Sequence, residues 1–122
     1  MYTVARFTAD PPLLDDLVSL GLSMNSVRPG LFTGLRKRGD GFACSVSSAS
    51  VWEEHLSEIQ RFVAELSEVI RQATRLGAEV TIDVAIEAED RESCQYYFVI
   101  DWSPAVLLAI ASTGARLEVS VY

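Results

Sequence analysis

His55 is the chain's one histidine, and it stands between Glu54 and Leu56 with Glu58 three residues on. A carboxylate beside an imidazole can orient it as a general base, but catalysis also needs a nucleophile or a substrate pocket. No Ser or Cys lies in a pattern resembling a nucleophile elbow. His55 therefore reads as a structural residue, on the surface or half-buried. Cys44 and Cys94 are far apart in the chain, with no CxxC or Cys/His cluster around them, so a structural zinc site is not expected. Both fall in expected strands and read as buried free thiols, with a disulfide as the alternative. Gly30, Gly34, Gly39 and Gly41 form neither a P-loop nor a dinucleotide fingerprint. The acids show no EF-hand spacing. No cofactor or metal is expected, and no enzymatic activity.

Charge is the more informative pattern. The net charge is −7, and residues 79–122 hold eight of the 17 acids but two of the ten basic residues. Such a balance repels phosphate backbones, which argues against nucleic-acid binding. Arg36-Lys37-Arg38 is too short and lacks the aromatic interleaving of a nucleic-acid site, so it reads as a solvated hairpin tip. From residue 79 to 89, Glu79, Thr81, Asp83, Ala85, Glu87 and Glu89 alternate with Val80, Ile82, Val84 and Ile86. That period of two puts the acids on one face of a strand, and Asp90 and Glu92 carry the charge into the following turn. Like charges two residues apart need solvent or a basic neighbour. The face is either a solvated surface or an electrostatic docking site for a basic protein, with Glu79, Asp83, Glu87, Glu89, Asp90 and Glu92 as its contact residues. Tyr96, Tyr97, Trp102 and Tyr122 lie in neighbouring elements and are of the types that anchor interfaces.

The elements that would position these groups are legible from periodicity and caps. Residues 2–8 read as a strand. Asp10-Pro11-Pro12 starts a helix that runs to about Leu20, with Gly21 placed to end it. Two short strands at about 31–36 and 42–47 flank a turn at Arg38-Gly39-Asp40-Gly41, where Asp-Gly favours a hairpin. Ser50 and Glu53 have capping-box spacing before a long amphipathic helix. Its stripe is Trp52, Leu56, Ile59, Val63, Leu66, Ile70, Ala73 and Leu76, and Gly77 closes it. A strand at 79–89 and a return strand at Tyr96–Ile100 make a hairpin. Ser103-Pro104 opens a helix that ends at Gly114, and a last strand alternates through Leu117, Val119 and Val121.

The order is β-α-β-β-α-β-β-α-β in a single domain of residues 1–122. That order predicts an α+β fold with a largely antiparallel sheet and helices on one face. The other sheet face is free to meet water. The apolar fraction of 49% supports a packed core. The longest apolar run, Ala105 to Ala111, is far short of a membrane span. Met1-Tyr2-Thr3-Val4-Ala5-Arg6-Phe7 has no signal-peptide pattern. The expected location is cytoplasmic, with no membrane partner.

The C-terminal block resembles a known family. Tyr97-Phe98-Val99-Ile100-Asp101-Trp102-Ser103-Pro104, the Leu/Ala helix after it, and Gly114-Ala115-Arg116-Leu117-Glu118-Val119-Ser120-Val121-Tyr122 are similar to the end of the domain of unknown function 4279. Pro11 to Leu22, with Leu20-Gly21-Leu22, looks like that family's first helix and turn. Members are met as immunity proteins of bacterial polymorphic toxins, including contact-dependent inhibition systems. The resemblance implies no catalytic residues. It implies binding to a cognate toxin with blockage of its active site, and the acidity suits a basic, nuclease-like toxin. The alternative is a homodimeric small-molecule-sensing or regulatory domain.

Overall fold

A computed structural model describes residues 1–87 and 100–122. It shows an α+β fold whose described elements run β1 (Tyr2–Thr8), α1 (Leu14–Val27), β2 (Gly41–Ser47), α2 (Trp52–Leu76), β3 (Glu79–Ile86), α3 (Pro104–Ser112) and β4 (Arg116–Val121). The four strands form one sheet in the order β2-β1-β3-β4. β1 pairs antiparallel with both β2 and β3, while β3 and β4 run parallel, so the sheet is mixed but mostly antiparallel. In β1, Thr3, Ala5 and Phe7 point to the helices. Their register partners Val84, Ile82 and Val80 point the same way, as strand alternation requires. The expected strand at Tyr96–Ile100 falls, apart from Ile100, outside the described residues.

The core lies between the sheet and α2. Ile59, Phe62, Val63, Leu66, Ile70 and Ala73 are buried at helical spacing. They meet Phe7, Phe42, Val80, Ile82 and Val84 in one apolar cluster. Phe7 and Phe42 stack across the β1–β2 pair at 4.7 Å. Gly77 closes α2 in the left-handed region (φ 100°) and donates to Thr74 O, a C-terminal arrangement that costs a glycine nothing. At its start, Val51 and not Ser50 holds the capping position, with no side-chain cap. Glu53 and Glu54 in the first turn oppose the positive end of the helix dipole instead. Ser103 caps α3 as expected, its hydroxyl accepting from Val106 N at 3.2 Å.

Two local expectations are corrected. Pro11–Leu13 form a 3₁₀ turn, and the α-helix proper continues through Gly21 to Val27. Gly21 is buried on the same stripe as Leu17 and Met24 and marks a close approach, because a Cβ there would stand 2.5 Å from the Phe32 ring. The helix ends at Arg28, which precedes Pro29 and is extended (φ −142°, ψ 109°), as the proline ring demands. Residues 31–36 are not a strand. The Asn25 amide takes the backbone groups a strand would pair, donating to Phe32 O (3.1 Å) and accepting from Phe32 N (2.9 Å). The turn before β2 is real, with Gly39 N donating to Arg36 O and Arg36 N to Gly41 O.

Candidate interaction surfaces

The acidic strand face lies opposite the helices, and its neighbours in the sheet decide its chemistry. Thr81 is flanked by Arg6 of β1 and Arg116 of β4, Asp83 by Val4 and Glu118, and Ala85 by Tyr2 and Ser120. The Arg6 guanidinium bridges two carboxylates, donating to Asp83 Oδ2 at 2.7 Å and to Glu118 Oε2 at 2.5 Å. Ser120 donates to Asp83 Oδ1 at 2.8 Å. Arg116 pairs with Glu79 at 2.7 Å. Burial opposes the charge of Arg6, but its hydrogen bonds to Asp83 and Glu118 outweigh that, and the guanidinium is held above its ordinary range.

Thr81, Asp83 and Ala85 are buried, although strand alternation points their side chains away from the helices. Asp83 is the member least available to a partner, with 3% of its side chain exposed. Glu79 is exposed but already paired, and Glu87 is half-buried. Glu89, Asp90 and Glu92 lie outside the described residues, as do Tyr96, Tyr97 and Cys94. Tyr2 and Tyr122 close the far end of this face, hydrogen-bonded to each other. The Tyr2 phenol is pushed up, first by partial desolvation and then by Tyr122, Glu87 and Asp83.

His55 is fully buried, not a surface residue. Nδ1 lies 3.0 Å from the Ala49 carbonyl oxygen, which can only accept, so the ring proton is assigned to Nδ1. Nε2 then accepts from the Thr3 hydroxyl at 2.5 Å. Ser47 Oγ is 3.0 Å from Nδ1 and also accepts from Ala49 N. The histidine thus joins β1, β2 and the loop before α2. The signal for this is in the sequence. Position 55 is four residues before Ile59 and continues the buried stripe of α2, but a polar residue there reads as leaving the stripe. Cys44 is also buried, and desolvation pushes its thiol up to about 12, the charge of Arg28 opposing.

A second surface, not expected from the sequence, forms where the start of α2 meets the start of α3. Trp52 and Trp102 meet edge to face, with ring centroids 5.1 Å apart. Trp52 Nε1 donates to Asp101 O at 2.9 Å, and the indole stacks on His55 at 5.8 Å. With Glu53, Leu56, Ser103 and Asp101 they line a cleft of about 300 Å³. A third recess of about 310 Å³ is lined by Asp10, Asp40 and Glu79. Asp40 Oδ1 is buried without a hydrogen-bond partner among the described residues. Those residues hold no group of three side chains spaced to bind a metal ion. No described helix is long and apolar enough to cross a membrane. Comparison with known proteins brings no match to a family model, to a curated protein or to a solved structure.

Proposed function

We propose that this chain is an immunity protein that binds a cognate bacterial toxin, a basic and nuclease-like domain, and blocks its active site. The observation that carries the reading is the charge on the sheet face turned from the helices. Among the described residues, four carboxylates, Glu79, Asp83, Glu87 and Glu118, stand against two guanidiniums, Arg6 and Arg116, so this part of the face is net negative. A face of this kind steers a basic partner and selects it more than it adds raw affinity. The sequence resemblance of the C-terminal block to the domain of unknown function 4279, whose members are met as immunity proteins, points the same way. Because Asp83 is enclosed, docking falls to Glu79, Glu87 and Glu118 and, by sequence, to Glu89, Asp90 and Glu92. In this reading the protein is cytoplasmic and binds neither nucleic acid nor membrane.

The test is co-purification with the protein encoded next to it, using wild type and a Glu87→Lys/Glu89→Lys variant whose fold is checked by circular dichroism. The expected result is capture by wild type and at least tenfold weaker binding by the variant at low salt. Unchanged binding by the variant would remove this surface, and no capture by wild type would remove the reading. A homodimeric sensing or regulatory domain is the second reading. It is favoured by Val119 and Val121 of β4, which are 45% and 58% exposed on a strand with one described neighbour. A mass measurement across a dilution series separates the two.

A further inference from the structure

We infer that the Trp52–Trp102 cleft is a receptor for an arginine side chain presented by a protein segment. Three properties of the cleft point to a cation. First, its walls are aromatic, and an indole face is the strongest side-chain partner for a guanidinium. Second, its rim carries Glu53 and Asp101, both exposed, and neither is in an ion pair among the described residues. The acids of the sheet face are different, since Asp83, Glu79 and Glu118 already have arginines. The carboxylates at the start of α2 are thus the more available ones. Third, the cleft opens beside a groove lined by Glu53, Glu54, Ser57, Glu58 and Arg61 along the same helix, where three carboxylates stand against one guanidinium, so net negative charge continues past the rim.

The cleft is also preorganised. Trp52 has its N–H bonded to the Asp101 carbonyl, one face on His55, and an edge-to-face contact with Trp102. Little side-chain entropy remains to be lost when a ligand enters. Its volume of about 300 Å³ sits at the lower limit of small-molecule sites, which suits one side chain better than a nucleotide-sized cofactor. Arginine is favoured over lysine because its planar guanidinium can lie on an indole and still reach a carboxylate with two N–H groups. The inference does not require the partner to be a toxin or the sheet face to be an interface.

The two tryptophans of the cleft are the only ones in the chain, so tryptophan emission and the two indole N–H resonances report on this site alone. The full chain is titrated with a tri-arginine peptide at low salt, and with the isosteric, uncharged tri-citrulline peptide as comparison. A saturable change in both indole resonances with tri-arginine is expected, at least fivefold weaker for tri-citrulline and weakened by added salt. Glu53→Gln/Asp101→Asn is expected to lower tri-arginine affinity roughly 2- to 30-fold, two exposed ion pairs each contributing modestly. Glu65→Gln, remote from the cleft, is expected to change nothing. Equal responses to the two peptides, no saturable response, or full affinity in the Glu53/Asp101 variant would each overturn the proposal. Because free peptides and no partner protein are used, its failure is distinct from failure of the immunity reading.

Discussion

Replacing Arg6 with Met should destabilise the protein more than neutralising its buried partner Asp83. Met keeps most of the aliphatic stem, so the loss is mainly that of the guanidinium. Without it, the Asp83 carboxylate is left with 3% of its side chain exposed and, among the described residues, one side-chain hydrogen bond, from Ser120. Removing one partner of a buried ion pair costs about 3–5 kcal/mol when both groups are fully enclosed. Arg6 is 30% exposed, so water can partly take its place. The expected loss is therefore roughly 2–3 kcal/mol. The reverse change is milder. In Asp83→Asn, Arg6 keeps Glu118 and its access to water. About 1 kcal/mol is expected there. The double variant Arg6→Met/Asp83→Leu removes both charges and should recover at least about 1 kcal/mol relative to Arg6→Met alone. Urea unfolding followed by tryptophan emission measures all three, and the melting temperature of Arg6→Met should fall by roughly 7–12 °C. An Asp83→Asn loss as large as that of Arg6→Met, or strict additivity in the double variant, would refute the account of this face as a closed charge network.

Alanine in place of glycine stabilises an ordinary exposed helix by about 1 kcal/mol. Gly21→Ala should do the opposite, because the new methyl meets the Phe32 ring. The overpacking should cost about 1–2 kcal/mol. In a Phe32→Ala background the sign should reverse, and thermal melts of the four proteins check this. Cys44 in a Cys94→Ser background should resist thiol reagents at pH 8 until the protein is unfolded, as timed labelling with and without urea will show. The thiol is raised from its ordinary value of 9.0 to about 12, so the folded state holds this proton more tightly. Its stabilisation is fully present below pH 9 and is lost as pH rises from 9 towards 12, by up to about 1.4 kcal/mol per pH unit. Cys44→Ala should flatten that part of the urea-midpoint profile.

The legible elements are those whose sequence signals are local. Ser103-Pro104 fixes the start of α3, Gly77 fixes the end of α2, and strict alternation marks β3. The failures come from contacts between distant segments. Gly21 resembles a helix stop until Phe32 is seen against it. Residues 31–36 have strand composition, but the Asn25 side chain takes up the backbone of Phe32. The acidic comb reads as a solvated surface or a docking face because alternation reveals which residues share a face. It cannot reveal that Arg6, 77 residues from Asp83 in the chain, lies between Asp83 and Glu118. The charge of β3 is plain in the sequence, but its availability depends on register with β1 and β4. The Trp52–Trp102 cleft is of the same kind, since the tips of two helices far apart in the chain build it.

His55 connects the fold to that cleft, and one substitution separates its two roles. It is fully buried, holds Thr3, Ser47 and Ala49 by hydrogen bonds, and supports the Trp52 ring. Leucine at this position fills much of the same space but leaves the Thr3 hydroxyl and the Ala49 carbonyl without this partner. Each stranded polar group costs about 1–3 kcal/mol, so His55→Leu should lose roughly 2–4 kcal/mol in urea unfolding. Trp52 should also shift, because an aliphatic chain does not stack as an imidazole does. A changed Trp52 indole N–H resonance together with a lowered urea midpoint is the expected pair. A lowered midpoint with both indole resonances unmoved would mean that the cleft is held without His55. A loss below about 1 kcal/mol would mean that the buried bonds to Thr3 and Ala49 do not carry the weight assigned to them. Paired with the peptide titration, the same variant reports whether a rigid Trp52 matters for binding. If preorganisation is the source of affinity, tri-arginine should bind His55→Leu several-fold more weakly even though no residue at the rim has changed.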